Sequence, residues 1–521
     1  MSRRLRAFVR WMKSQGFQWT DGMEFVDSSE GGGGAVSVKA VRDLREGEAV
    51  AAIPKAACLT VKNSGACELI ESADLGGFLG LSVALMFEKG LGESSPWAGY
   101  LQLLPESECI PLLWTLDEVD RFLQGTELHK VKLLQTVKED KGLVLEDWKE
   151  NILPLVHQLP SNVNAKCFGV EQYFAAKSLV SSRAFEIDDY HGHGMVPLAD
   201  FYQANMICRF NHKTGAEDVH FTSVPSSHSD DDDDDDDDAE EDSSISDLLN
   251  ENKVDEEPSS ELEGSAISLD DPMVLEMIMV KDVQHGAEIF NTYGLVGNAA
   301  LLHRYGFAEP DNQFDIVNID LELVLQWSSS LFTGRYSRAR LSLWRNLDYS
   351  GCVSGESEYF EVSNDGEPQI ELLVLLYIML LPEEAYLRLD ILVSTTATSK
   401  EDPISMYLSE KCSITQDKRS EISRDLLLTE SVCEALLWLA DKRDSLYNKS
   451  MKDDIEALQR CSVKEGKAYY SLLLRICERR ILEKLRSYAT VVAQSSQDMK
   501  RSCCTRKRLK RESSEQTQID L

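Results

Sequence analysis

The stretch GAEIFNTYGLVGNAALLHRYGF, from Gly286 to Phe307, holds two Tyr-Gly units, Tyr293-Gly294 and Tyr305-Gly306, twelve residues apart. Between them GNAALLHR has the composition of a short helix, with glycines at the margins able to take backbone turns that other residues avoid. A tyrosine on a helix face is often ordinary core. Two Tyr-Gly units bracketing an Asn-Ala-x-Leu-Leu helix are much less common by chance.

Working outward from that stretch, strand-like segments precede it at Met195–Leu198, Val219–Phe221, MVLEMIMVKDV (Met273–Val283) and Glu288–Tyr293. Further upstream, AVSVKAVRDLREGEAVAAI (Ala35–Ile53) reads as two short strands around a turn at Arg45-Glu46-Gly47, with Pro54 closing the second. From Leu75 to Ala176 the pattern is helical instead, in LSVALMFEK, LDEVDRFLQG and GVEQYFAAKSLV, as if helices were inserted into a β-rich domain. After about Asp315 it is helical again to about Gln494, through ELLVLLYIMLL, SVCEALLWLADKRDSLY and AYYSLLLRICERRILEKLRSYATVVAQ. At the start, Leu5, Phe8, Val9 and Met12 fall at i, i+3, i+4 and i+7, with Gly16 as a stop. That periodicity makes MSRRLRAFVRWMKSQGFQW the first helix of the fold; its Arg-rich, acid-poor composition leaves a plastid transit segment as the alternative. The predicted class is α+β: a β-rich domain with a helical insertion, followed by an all-α domain.

Length and charge are compatible with that plan. A chain of 521 residues exceeds what one core sustains, so two domains are expected. The net charge is −35, and it is uneven: Asp230 to Asp271 carries 21 acidic residues against one lysine, Lys253. That run is too polar to offset its ordering entropy, which predicts a disordered acidic loop over about 224–271. It is either a solvated excursion from a hairpin or a decoy for basic proteins. Twelve cysteines without a Cys-x-x-Cys pair suggest neither a disulfide framework nor a zinc site, hence a reducing compartment. The apolar run LLVLLYIMLLP, Leu372 to Pro382, is far shorter than the roughly 20 residues that span a bilayer and reads as a buried helix. The tail, 495–521, is polar with a basic cluster at Arg506–Arg511.

Two further segments belong beside the Tyr-Gly pair. EGGGGAVSVKAV (Glu30–Val41) is a glycine-rich lead into a strand, where backbone can approach a ligand closely or simply flex. In SLVSSRAFEI, Arg183 lies at the end of an apolar helix, where a buried guanidinium needs an anionic partner. Taken with MVPLAD (Met195–Asp200) and EIFNTYG…NAALLHRYGF, these segments resemble the SET-domain protein lysine methyltransferases of the Rubisco large-subunit methyltransferase type, over about Ser2 to Gln494.

The resemblance implies a SET domain at 1–314, with its helical insertion at about 75–176, then an α-helical substrate-binding domain at 315–494 and a basic disordered tail at 495–521. It implies S-adenosyl-L-methionine as cofactor, no metal, and a protein substrate presenting a lysine. Gly34, Ala35 and Val36 match the turn that touches the cofactor, although the usual Gly-x-Gly is absent. Arg183 matches the arginine at the cofactor carboxylate and, with Tyr305, borders the substrate lysine. Asn211 and His212 match a cofactor-contacting pair. Tyr293 matches the catalytic tyrosine and, with Phe307, borders the cofactor. Nucleus or cytoplasm is the expected location, with no membrane or direct nucleic-acid partner.

One departure stands out. The family pattern is Asp-x-x-Asn-His, yet Asp200 is followed at those places by Gln203 and Ala204, and Asn211-His212 comes eight residues late. FYQANMICR, Phe201–Arg209, therefore stands where one residue is expected, beside a crossing that in the SET fold has little room. Two readings remain beside the lysine enzyme: an interaction protein with an impaired SET site that binds basic partners, and a protein-histidine methyltransferase.

Overall fold

The first helix, Arg3–Ser14, turns Leu5, Phe8 and Met12 fully inward and ends at Gly16, whose φ of +86° suits glycine. Phe8 and Trp11 stack at 5.7 Å, and Trp11 Nε1 donates to the Pro96 carbonyl at 2.8 Å, so this helix is part of the first core. The computed structural model describes residues 3–28, 35–129, 131–199, 218–223, 273–347, 359–396, 403–412, 424–463 and 466–519. Gly34, Asp200, the 201–209 stretch, Asn211, His212 and the acidic run at 224–271 lie outside the described residues.

Among the described residues, three small antiparallel sheets make up the β-rich part. Gln18–Trp19, Ala49–Pro54, Val274–Met279 and Val219–Ser223 form one sheet in that order. Met23–Ser28 pairs with Ala35–Ala40, and Gly192–Met195 lies between Leu59–Thr60 and Ala184–Asp188. The two strands expected around Arg45-Glu46-Gly47 are both present, but they pair with different partners and form no hairpin. The reason is legible in AVAAIP: Val50, Ala51, Ala52 and Ile53 are all buried, and a run apolar on both faces belongs in the middle of a sheet. Of the expected strand at Met195–Leu198 only Met195 is in a ladder; Leu198 takes a φ of +82° and ends it. Glu288–Tyr293 joins its neighbours by single bridges and forms no regular strand. Its partners change too fast: Ile289 N donates to the Val38 carbonyl, while Phe290 exchanges hydrogen bonds with Asp218.

The helical insertion is wider than expected, running from Cys67–Ser72 to Val170–Arg183. Its central helix, Gly77–Leu91, is buried nearly all round from Leu81 to Met86 and packs against Val170–Arg183.

The C-terminal part is largely helical around its own core, with Ile370–Leu380 at the centre. It is not all-α. Ile316–Asp320 pairs with Tyr359–Ser363, because Val317 and Ile319 face Phe360 and Val362 in an alternating, period-two pattern. The tail expected to lack structure also differs: the last helix runs from Gly466 to Ile519. After its first residue that segment has neither glycine nor proline, and its Lys, Arg, Glu and Gln are good helix formers. Among the described residues no helix is long and apolar enough to cross a membrane.

A third core joins the two parts. It takes Trp114, Val119 and Leu123 from the insertion, Tyr293, Leu301, Leu302 and Phe307 from the opening stretch, and Tyr470, Leu473, Leu474 and Cys477 from the last helix.

Candidate active site

The helix between the two Tyr-Gly units is Asn298–Tyr305, and its ends explain the glycines. Gly306 has a φ of +76° and donates from its N–H to the Leu302 carbonyl at 3.1 Å, a left-handed helix stop. It also has no room for a side chain, since a Cβ there would lie 2.8 Å from the Cys109 carbonyl. Gly294 likewise takes a φ of +83° just after Tyr293.

The helix start is held by a buried amide. Asn298 donates from its backbone N–H and from Nδ2 to Asp315, at 2.9 and 2.8 Å, and its Oδ1 accepts from Glu309 N at 2.8 Å. Asn312 Nδ2 donates to the Val296 carbonyl at 3.0 Å. Burial pushes the Asp315 carboxyl up to about 6, against the opposing pull of the Asn298 hydrogen bonds. Asn298, Asn312 and Asp315 fix the loop that carries Tyr293, and sequence reasoning singled out none of them.

The helix brings Tyr293, Tyr305 and Phe307 together. Ring centroids lie 4.5 Å apart for Tyr293 and Tyr305, 5.2 Å for Tyr293 and Phe307, and 6.4 Å for Tyr305 and Phe307. Tyr293 and Phe307 are buried. A fourth ring, Tyr470 of the last helix, meets Phe307 edge-on at 6.5 Å.

Arg183 is fully buried and ion-paired with Glu108. The anion that a buried guanidinium requires is thus supplied by the chain itself, from a loop residue that the sequence did not flag. The same loop ties Arg183 to the aromatic cluster, because the next residues, Cys109 and Ile110, are those against which Gly306 packs. Ala35 and Val36 open a strand whose Lys39 bridges Glu288 antiparallel and whose Val38 carbonyl accepts from Ile289 N, four residues before Tyr293. Tyr293, Tyr305 and Phe307 are thus in mutual contact, and Arg183 is linked to them through the loop of Glu108 to Ile110. Gly34, Asn211 and His212, also expected here, lie outside the described residues. Among the described residues no cluster of His, Cys, Asp and Glu could hold a metal ion.

No family model matches the chain. By structure it is similar to the SET domain of LSMT bound to lysine and AdoHcy, with a TM-score of 0.56 and 18% identity over 94% of this chain and 91% of that one. It is similar also to Rubisco LSMT bound to AdoMet, with a TM-score of 0.55 and 17% identity over 95% and 93%. The fold is that of the LSMT-type SET proteins. In sequence the chain is 25% identical over 339 residues to ribosomal lysine N-methyltransferase 3 of Saccharomyces cerevisiae, covering 55% of this chain and 59% of that protein. It is 24% identical over 382 residues to N-lysine methyltransferase setd6 of Xenopus laevis, covering 71% and 72%.

Proposed function

We propose that this chain is a protein-lysine N-methyltransferase using S-adenosyl-L-methionine. The observation that carries the reading is the packed trio Tyr293, Tyr305 and Phe307 in an LSMT-type fold, together with the N-lysine methyltransferase names of its sequence relatives. S-adenosyl-L-methionine supplies an electrophilic methyl group on a sulfonium, so the leaving thioether needs no acid.

What the protein must do is present a neutral amine. Free lysine has a pKa of about 10.4, so at neutral pH nearly all of it is ammonium. A channel walled by Tyr293, Tyr305 and Phe307 disfavours the charged form and leaves the lone pair available. The Tyr293 hydroxyl orients the reacting groups, and correct positioning alone can supply a large part of about 7–11 kcal/mol. In the family pattern Arg183 stands at the carboxylate end of the cofactor; here its guanidinium is taken up by Glu108, which fixes it beside that end. Ala35 and Val36, with Gly34, Asn211 and His212, complete that side in the family pattern.

The substrate is a protein lysine held by the helical domain, in the ribosomal or nuclear class, and the acidic run attracts basic partners. Nucleus and cytoplasm are the proposed locations. The insertion Phe201–Arg209 favours one other reading, a SET fold that no longer binds cofactor. Titration calorimetry with S-adenosyl-L-methionine separates the two: saturable binding with about one site supports the enzyme, and no heat over the micromolar range would sink it.

A further inference from the structure

The helical domain reaches the active-site rings themselves. On the last helix Tyr470, Leu473, Leu474 and Cys477 recur at i, i+3, i+4 and i+7, one apolar stripe, and all four enter the core that contains Tyr293 and Phe307. Tyr470 is 7% exposed and meets the Phe307 ring edge-on at 6.5 Å, and Phe307 in turn meets the Tyr293 ring at 5.2 Å, so the last helix touches the trio through Phe307. Both flanks of this contact are fixed. Three residues before Tyr470, Lys467 Nζ donates to Glu118 at 2.7 Å and lies 5.9 Å from the Trp114 ring. Eight residues after it, Glu478 accepts from the Glu127 N–H at 3.0 Å. The helix is therefore pinned to the insertion at two points, with Tyr470 between them against Phe307.

We propose that Tyr470 is a positioning residue for methyl transfer: supplied by the helical domain, it holds Phe307 against Tyr293 and so keeps the lysine channel narrow and dry. This rests on the methyltransferase reading. An aromatic ring removed from a packed interior leaves a cavity into which Phe307 can retract. Retraction admits water, the bound amine regains its ammonium form, and the fraction ready to react at neutral pH falls. The signature is a displaced acidic limb of the pH–rate profile, which reports the amine in the bound complex.

The test uses the full chain, labelled S-adenosyl-L-methionine and the basic protein fraction of a cell extract as substrate, from about pH 6.5 to 10. Label transfer by the unsubstituted chain comes first, so that failure of the enzyme reading is seen before any variant is made. Tyr470→Ala should lower the rate at neutral pH at least tenfold and move the acidic limb upward by about one pH unit, with S-adenosyl-L-methionine affinity within twofold. Tyr470→Phe should restore both, since the ring edge is what Phe307 meets. Leu482→Ala, buried in the helical core about 18 Å further along the helix, is the stability control and should leave the limb in place. Should Tyr470→Ala not fold, Tyr470→Leu carries the same comparison, because it keeps apolar bulk without the ring. The proposal is overturned if the limb of the folded variant coincides with that of Leu482→Ala, or if Tyr470→Phe behaves like the truncation.

Discussion

Replacing Arg443 by methionine should destabilise the chain by about 3–5 kcal/mol, the usual result of removing one partner from a buried ion pair. Its guanidinium, fully buried, donates to the Gly125 carbonyl at 2.7 Å, to Glu127 at 2.9 Å and to the Asn318 carbonyl at 3.3 Å, and lies 3.7 Å from Glu478. Asn318 N donates to Glu127 at 2.9 Å and the Tyr447 hydroxyl to Glu478 at 2.6 Å. One cation thus joins the insertion, the Ile316–Asp320 strand and two helices of the C-terminal part. Burial pushes the Glu478 carboxyl up to about 8, with the charge of Glu127 adding to the effect and Arg443 opposing it. The substitution leaves the carboxyl groups of Glu127 and Glu478 buried without their cation. At about 2–4 °C per kcal/mol for a domain of about 150–250 residues, the loss corresponds to about 6–20 °C in thermal midpoint, measured by scanning fluorimetry at pH 7. Adding Glu127→Gln should recover more than half of it. A fall below about 2 °C would show that the seam does not depend on this charge. The pH dependence has a definite sign. Unfolded, Glu478 ionises near its ordinary value of 4.5; folded, it keeps its proton until about 8, so between these values the folded state binds more protons and stability declines as pH rises. Glu478→Gln should flatten that decline.

Tyr293→Phe should lower kcat by about a hundredfold, about 2.7 kcal/mol, and leave cofactor affinity within a few-fold, because the hydroxyl acts on the reacting groups more than on the bound ground state; an unchanged kcat would remove Tyr293 from the catalytic role. Deleting Ser226 to Glu263 should leave the thermal midpoint nearly unchanged, given the mutual repulsion of its acidic residues, and a sharp fall in the melting scan would mean that the run packs on the fold. Replacing Phe201–Arg209 by one apolar residue restores the Asp-x-x-Asn-His spacing and should tighten S-adenosyl-L-methionine binding by at least about tenfold, about 1.4 kcal/mol, in side-by-side calorimetry. Equal affinity and equal stability of the long and short forms would make the extra residues harmless.

Features governed by local pattern were legible in the sequence, and features governed by distant partners were not. Leu5, Phe8 and Met12 announced their helix because the face that packs is written at helical spacing. The two Tyr-Gly units announced a capped helix, but that Gly306 must lie against Cys109, about 200 residues earlier, has no local signal. Arg183 could be read as a buried charge in need of an anion; its partner Glu108 sits in a loop that looks like any other polar turn. The stripe from Tyr470 to Cys477 reads as a helix face, yet nothing in it says that the face meets the aromatic cluster and not its own domain. The Ile316–Asp320 strand was missed because its partner lies some forty residues on, beyond two helices, so the period-two alternation appears as two isolated fragments.

The measurement that bears most directly on lysine methylation is transfer of label from S-adenosyl-L-methionine to a whole-cell protein extract, followed by complete hydrolysis and mass spectrometry of the labelled amino acids. Methylated lysine as the labelled product, lost with Tyr293→Phe, is the predicted result. Label on histidine, or none in the presence of saturable cofactor binding, would contradict it.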